Sequence, residues 1–280
     1  MCLAAFALGR HADFPLVLAA NRDEYFERPT APLAWWEVAG APPGQGRILA
    51  GHDLRGGGTW LGLNAQGRLA LLTNIRTGRG APPGVPSRGE LVPAWLSGST
   101  GAAALHAAMQ ARGHVDYNLV TADLVRPAAP WHWISSATGR VQAIEAGRGS
   151  PGGKVFGLSN GLLDEPWPKL VALRSRVDAA VAQATAHDLP GLIARLFEAL
   201  ADDRRAPDNA LPCTGVPLAA ERMLSSAFIR GDDGRYGTRC STVVVVQRGV
   251  GARVIERSFD ADGLVAGQVD LRLPGWPGSA

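Results

Sequence analysis

The sequence predicts an α+β fold in which two β-sheets pack face to face with helices on the outside. Two observations lead there. Apolar runs of strand length follow one another through short turns, in three groups separated by two helical pairs. The valine-rich runs are too continuously apolar to leave a face in water, so each sheet must be covered on both sides. A doubly wound parallel sheet is disfavoured, because strands do not alternate with helices. A chain of 280 residues, 46% hydrophobic and 19% charged, suits one large layered domain spanning 1–280, and neither a repeat nor a linker divides it.

Taken in order, Cys2 to Leu8 and Pro15 to Ala20 are apolar runs joined by the polar turn 9–13, which reads as a hairpin. Residues 28–58 are rich in Pro and Gly, and loops with little regular structure are expected there. Thr59 to Leu63 and Arg68 to Asn74 form a second hairpin around the turn 64–67, and 75–86 is a Pro/Gly loop. Ser87 followed three residues later by Glu90 has the capping-box spacing and predicts a helix to about Leu96. Ala102 to Arg112 is Ala-rich and helical, ending at Gly113. Tyr117–Asp123, Trp131–Ser135, Val141–Ala146 and Val155–Ser159 look extended. Leu170, Leu173, Val177 and Val181 share one face of a helix from Trp167 to about Ala186, and Leu189 to Leu200 is a second amphipathic helix. Residues 202–217 are a loop containing Cys213, Thr242–Gln247 and Arg253–Phe259 are strands, and the tail from Gly263 reads as loop.

Composition excludes several functions. The net charge is +3, and no basic run interleaved with aromatics marks a nucleic-acid surface. Of the 28 basic residues only Lys154 and Lys169 are lysines. Cys2, Cys213 and Cys240 are odd in number and form no CxxC, so a reduced, cytoplasmic location is expected. The N-terminus lacks the basic region of a signal peptide, and no stretch reaches the ~18 apolar residues of a membrane span. The six histidines show no ligand spacing, so no metal is predicted, and no resident cofactor is expected. Gly56-Gly57-Gly58 lacks the GK[ST] of a phosphate loop, and His52-Asp53 before it fits a turn.

The chemistry centres on Met1-Cys2. A cysteine at position two is small enough for the initiator methionine to be trimmed, leaving thiol and α-amine on one residue. With model values of about 8.5 for a thiol and about 7.7–8.0 for an α-amine, nucleophile and base would both be poised near neutrality. The alternative is a small apolar residue opening a buried strand. The hairpin places Cys2 at one strand's start and Asn21, the first residue of Asn21-Arg22-Asp23-Glu24, at its neighbour's end, so that the two ends are adjacent. Asp23 would orient the amine, and Arg22 would hold Asp23 or favour the thiolate; the alternative is a surface turn with an ordinary ion pair. Cys240 reads as core, and Trp35, Trp36 and Trp60 as pocket lining or core.

Met1-Cys2, Asn21-Arg22-Asp23-Glu24, Gly57-Gly58-Thr59-Trp60-Leu61-Gly62, Leu72-Thr73-Asn74, Ser87-Arg88-Gly89, Tyr117-Asn118, Ser159-Asn160-Gly161 and Tyr236-Gly237-Thr238-Arg239-Cys240-Ser241-Thr242 together resemble the family named for its Asn-Arg-Asp-Glu motif, also called the transport-and-Golgi-organisation family. A more distant resemblance is to N-terminal nucleophile hydrolases of the bile-salt hydrolase and penicillin V acylase group. That resemblance implies a four-layer αββα sandwich and an amidohydrolase or acyltransferase acting on non-peptide C–N bonds. It implies Cys2 as nucleophile and base, Arg22 and Asp23 as its partners, Asn74 and Asn160 as oxyanion donors, and Arg239, with Arg230 second, as a late arginine. Asn21, Trp60 and Asn118 are the candidates for contact with a small-molecule substrate. The family resemblance also implies an alternative, a non-catalytic carrier for haem or a lipid or acyl ligand on the same fold. The sequence leaves the oligomeric state open.

Overall fold

The structure is a computed structural model that describes residues 2–79, 83–126, 131–145 and 153–278. Its strands begin with β1 (Cys2–Leu8), β2 (Leu16–Tyr25), β3 (Thr30–Glu37), β4 (Arg47–Asp53), β5 (Leu61–Asn64) and β6 (Arg68–Asn74). After helices α1 (Leu91–Leu96) and α2 (Ala102–Ala111) come β7 (Tyr117–Asp123), β8 (Trp131–Ser135), β9 (Arg140–Ile144) and β10 (Lys154–Leu158). Helices α3 (Pro168–Ala182), α4 (Leu189–Leu200) and α5 (Leu218–Met223) precede β11 (Tyr236–Gln247), β12 (Gly251–Phe259) and β13 (Val265–Pro274). The chain divides into two compact units, Met1–Glu27 with Ala146–Gly275, and Arg28–Glu145 with Trp276–Ala280.

The first unit is built on a six-stranded antiparallel sheet of order β10-β1-β2-β11-β12-β13. Alternation sends Leu3, Ala5, Val17, Ala19, Val243, Val245 and Ile255 to one face, where they pack with Leu170, Leu173 and Val177 of α3 and Leu192, Leu196 and Phe197 of α4. Each fully buried valine or leucine there contributes about 1.5–3 kcal/mol. The other face is buried too, through Ala4, Phe6, Leu18, Val244 and Val254. This two-sided burial is what the four consecutive valines of β11 required. Helix α3 opens on Pro168, whose missing N–H is not needed at a first turn, and the Asp188 carboxylate caps α4 by accepting from Gly191 N at 2.9 Å.

The second unit carries a seven-stranded antiparallel meander, β3 to β9 in chain order. Ile48, Ala50, Ala70, Leu72, Leu119 and Ile134 face Leu91, Val92 and Trp95 of α1 and Leu105 and Met109 of α2. Leu49, Leu63, Leu69, Leu71 and Val120 on the opposite face are buried as well. Arg68 is buried where β6 begins. It donates to the carbonyls of Trp95 (3.1 Å) and Gly98 (2.8 Å), lies 4.3 Å over the Trp95 ring, and so fixes the end of α1 to the sheet.

Three expectations need correction. Residues 28–58 contain strands β3 and β4; most of the prolines and glycines lie outside the two strands, and Pro32 and Gly51 lie within them. Pro32 sits in edge strand β3 where the register shifts between Ala31 and Ala34, a place where a missing N–H is tolerated. The tail from Gly263 forms edge strand β13 against β12; its residues are largely exposed, so no buried apolar run announced it. The helix expected from Ser87 starts at Leu91 after a 3-10 turn over Arg88–Glu90. The Glu90 carboxylate is engaged with His114 (2.9 Å) and Arg112 (2.8 Å) and does not close a capping box.

Candidate functional site

The site is assembled by strand register in the first unit. Cys2 opens β1 and pairs with Arg22 on β2, and Arg22 pairs in turn with Cys240 on β11. Residues directly paired across strands point to the same face. Leu3 and Ala5 face the helices, so Cys2, Arg22 and Cys240 form a row on the opposite face, each 6% exposed. On the other side of Cys2, β10 pairs with β1 through Ala4↔Leu158. Asn160 lies two residues beyond Leu158, as Cys2 lies two residues beyond Ala4, which brings Asn160 level with the start of β1. It is 1% exposed.

Asp23 lies on the helix-facing side of β2 with Asn21, and both are fully buried. Thr238 Oγ1 donates to Asp23 Oδ1 at 2.8 Å and accepts from Ile229 N at 2.8 Å, locking the carboxylate to the segment before β11. Burial pushes the Asp23 carboxyl above its ordinary range; Lys169, the amino-terminal charge, the Thr238 bond and Arg22 pull it back. Asn21 Nδ2 donates to the carbonyls of Leu200 (2.9 Å) and Ala227 (2.8 Å), and its Oδ1 accepts from Ser241 Oγ (2.6 Å). It therefore ties the end of α4 and the loop before β11 to the sheet.

Burial lifts the Cys2 thiol to about 11. The amino-terminal charge and Arg22 draw it down, and Asp23 and Glu24 push it up. Burial and Glu256 hold Cys240 protonated well above its usual value. Arg22 lies 3.9 Å from the Glu24 carboxylate. Met1 lies outside the described residues.

The remaining sites named from the sequence fall elsewhere. Arg239 sits where the β2–β11 register shifts; its Nη1 donates to the carbonyls of Tyr25 (2.8 Å) and Phe26 (3.3 Å), clamping the end of β2. Arg230 is exposed and donates to the Asp262 carbonyl at 2.9 Å. Asn74, Trp60 and Asn118 belong to the second unit. Asn74 ends β6 opposite Tyr117, and Trp60 is 7% exposed. Buried Asn118 donates to Thr73 Oγ1 (3.3 Å) and accepts from Trp133 Nε1 (3.1 Å). Among the described residues, no group of three or more His, Cys, Asp and Glu is placed to hold a metal ion, and no helix is long and apolar enough to cross a membrane.

The family model described as "Transport and Golgi organisation 2" matches residues 1–261. The chain belongs to this family. Relatives include the Transport and Golgi organization 2 homolog of Mus musculus, 30% identical over 88% of this chain and 87% of that protein. The Bos taurus homolog is 32% identical over the same shares. Among solved structures, a mutant of conjugated bile acid hydrolase from Clostridium perfringens matches 98% of this chain and 92% of its own, with a TM-score of 0.50 and 8% identity. That likeness shows a shared fold.

Two of the family's motifs are packing devices in this chain. A Cβ at Gly58 would run into the Gly89 carbonyl oxygen, which accepts from Thr59 N at 3.0 Å; the Gly-Gly-Thr-Trp and Ser-Arg-Gly segments thus need each other. Asp53 shapes the preceding turn, accepting from Gly56 N (2.9 Å) and Arg55 N (3.1 Å). Sequence reasoning missed Lys169, Thr238 and the place of Cys240 beside Arg22. For Lys169 a signal existed, the near absence of lysine from the chain.

Proposed function

We propose that this protein is an N-terminal-cysteine amidohydrolase or acyltransferase acting on non-peptide C–N bonds of a small molecule. The observation that carries the reading is the pairing of Cys2 with Arg22 beside Asp23, with Asn160 two residues beyond the end of neighbouring β10. Removal of Met1 would give Cys2 its own amine. That amine takes the Sγ proton, the sulfur attacks the substrate carbonyl, and the proton passes to the departing nitrogen. Water hydrolyses the resulting thioester, or an acceptor takes the acyl group. Asp23 orients the amine and Arg22 favours the thiolate. Asn160 donates to the developing oxyanion; a donor of this kind contributes about 2.7–4 kcal/mol. Asn74 is proposed as the second donor on its motif alone, and Arg239 as the late arginine acting through the strand end it clamps. Trp60 and Asn118 are carried as substrate contacts on their motifs, and Asn21 supports the site by holding the end of β2.

A single domain of four αββα layers is the proposed architecture. It is supported by helices packed on one face of each sheet. A cytoplasmic location is part of the proposal, and the odd number of cysteines without a CxxC supports it.

A second reading, a carrier for a hydrophobic ligand, is favoured by one observation: burial holds the Cys2 thiol protonated to about 11. The buried histidines and cysteines do not favour ligation of a haem iron. His106 and His114 are buried on Tyr117, Met109 and Glu90, and neither buried cysteine presents a thiolate. Turnover of short-chain acyl aminocoumarin amides by the trimmed protein, lost in Cys2→Ala, supports the enzyme. Tight haem binding that survives Cys2→Ala, with no amide turnover, supports the carrier.

A further inference from the structure

Lys169 stands in a place where a lysine is physically unwelcome. It is the second residue of α3, and the positive end of a helix dipole disfavours a cation there. It is only 5% exposed, and burial disfavours the charge again. Its chain neighbours Trp167 and Leu170 pack in the same core cluster as Leu3 and Ala5 of β1. The topology explains which end of the sheet it reaches. Strand β10 runs antiparallel to β1 and ends near its start, so the loop after it delivers the beginning of α3 to the Cys2 end of the unit. There Asp23, fully buried on the helix-facing side of β2, meets the lysine's charge. Two buried charges that are each costly alone offset one another. Elsewhere the chain fills its cationic positions almost entirely with arginine, so a lysine at this one buried position stands out.

We propose that Lys169 is a positioning residue that acts through Asp23 on the amine freed at Cys2. The inference rests on the N-terminal-cysteine reading above. After burial, which raises the Asp23 carboxyl, Lys169 is the strongest influence restoring the carboxylate. An ionised Asp23 accepts a hydrogen bond from the amine and fixes its direction toward Sγ. The lysine does a second thing by sign alone: a neighbouring cation disfavours the protonated amine, which keeps the amine available as a base. Asp23 by itself would hold the amine as an ammonium. With Lys169 sharing the carboxylate, the amine is oriented without being trapped in its protonated form.

The test is the pH dependence of Cys2 alkylation by iodoacetamide in full-length protein, read by peptide mass spectrometry, with the intact mass of wild type recorded first. In Lys169→Met the amine becomes the principal counter-charge of Asp23, so the acid limb moves up by about one pH unit. Lys169→Arg, which keeps the charge, returns the limb toward wild type. A lysine that merely props the core would lower the melting temperature without moving the limb. The thermal cycle of Lys169→Met, Asp23→Asn and the double variant provides the second arm. Coupling, with the double variant losing less than the two single losses added together, supports the pair; additive losses overturn it. A wild-type mass that retains Met1 overturns the enzyme reading and the positioning role together. A trimmed terminus whose limb is unmoved by Lys169→Met overturns the positioning role alone.

Discussion

Asn21 makes a quantitative prediction, because its amide is fully used inside the protein. The perturbation is Asn21→Ala. The native side chain is fully buried, gives two N–H bonds to the Leu200 and Ala227 carbonyls at 2.9 and 2.8 Å, and accepts from Ser241 Oγ at 2.6 Å. Alanine leaves two carbonyls and a hydroxyl without that partner in the buried interior. Each unsatisfied buried group costs about 1–3 kcal/mol. The serine hydroxyl can rotate toward another acceptor, so the expected loss is about 3–5 kcal/mol rather than the full sum. For a chain of this size that lowers the melting temperature by about 5–9 °C. The assay is urea or thermal unfolding followed by circular dichroism. Asn21→Asp should be at least as damaging, because it keeps the acceptor but points a carboxylate oxygen at two carbonyls. A loss below about 1 kcal/mol for Asn21→Ala would refute the claim that this residue is a structural tie.

Three further predictions follow from the same structure. In protein produced with Met1 retained, alkylation of Cys2 should accelerate about tenfold per pH unit toward pH 11, since only the thiolate reacts; a flat profile would contradict the burial-driven rise. The Arg204 hydrogen bond is the main cause holding Asp202 below the ordinary carboxylate range, so its folded value lies under its unfolded one. Its stabilising contribution is present above the unfolded value, near pH 4, and is lost as pH falls through the folded value; Asp202→Asn should flatten part of the acid decline in urea midpoint. Gly58→Ala should destabilise by about 1–3 kcal/mol through collision with the Gly89 carbonyl. Gly57, at φ +67° with nothing within 4 Å of an added Cβ, should accept Asn with little loss, and equal losses at both positions would contradict the packing account.

Much of the fold was legible because its signals are local. β6, β7, β8 and α4 have the boundaries that their apolar runs and flanking turns indicated. What escaped was structure whose signal is not burial of a run. Edge strands β3 and β13 face solvent over much of their length, so Pro and Gly within and beside them outweighed their weak alternation. In the site, the hairpin made Cys2 readable as adjacent to the end of its partner strand near Asn21; the register that pairs it with Arg22 came from the structure. Thr238 and Cys240 reach the site only through the pairing of β2 with β11, more than two hundred residues apart, and no periodicity reports such a pairing. Asn21 belongs to the same four-residue motif as Asp23 and lies on the same strand face. Motif membership does not separate a residue that ties the scaffold from one that faces chemistry; hydrogen-bond partners do.

The measurement that bears most directly on the account is intact and peptide mass spectrometry of a Cys213→Ser variant treated with one equivalent of iodoacetamide at pH 7.5. Substituting the exposed Cys213 leaves the two buried thiols to compete for the reagent. The account predicts a chain lacking Met1 with the label on Cys2, while Cys240, held as a thiol by burial and Glu256, stays unmodified. A chain that keeps Met1, or a Cys2 that reacts no faster than Cys240, would contradict it.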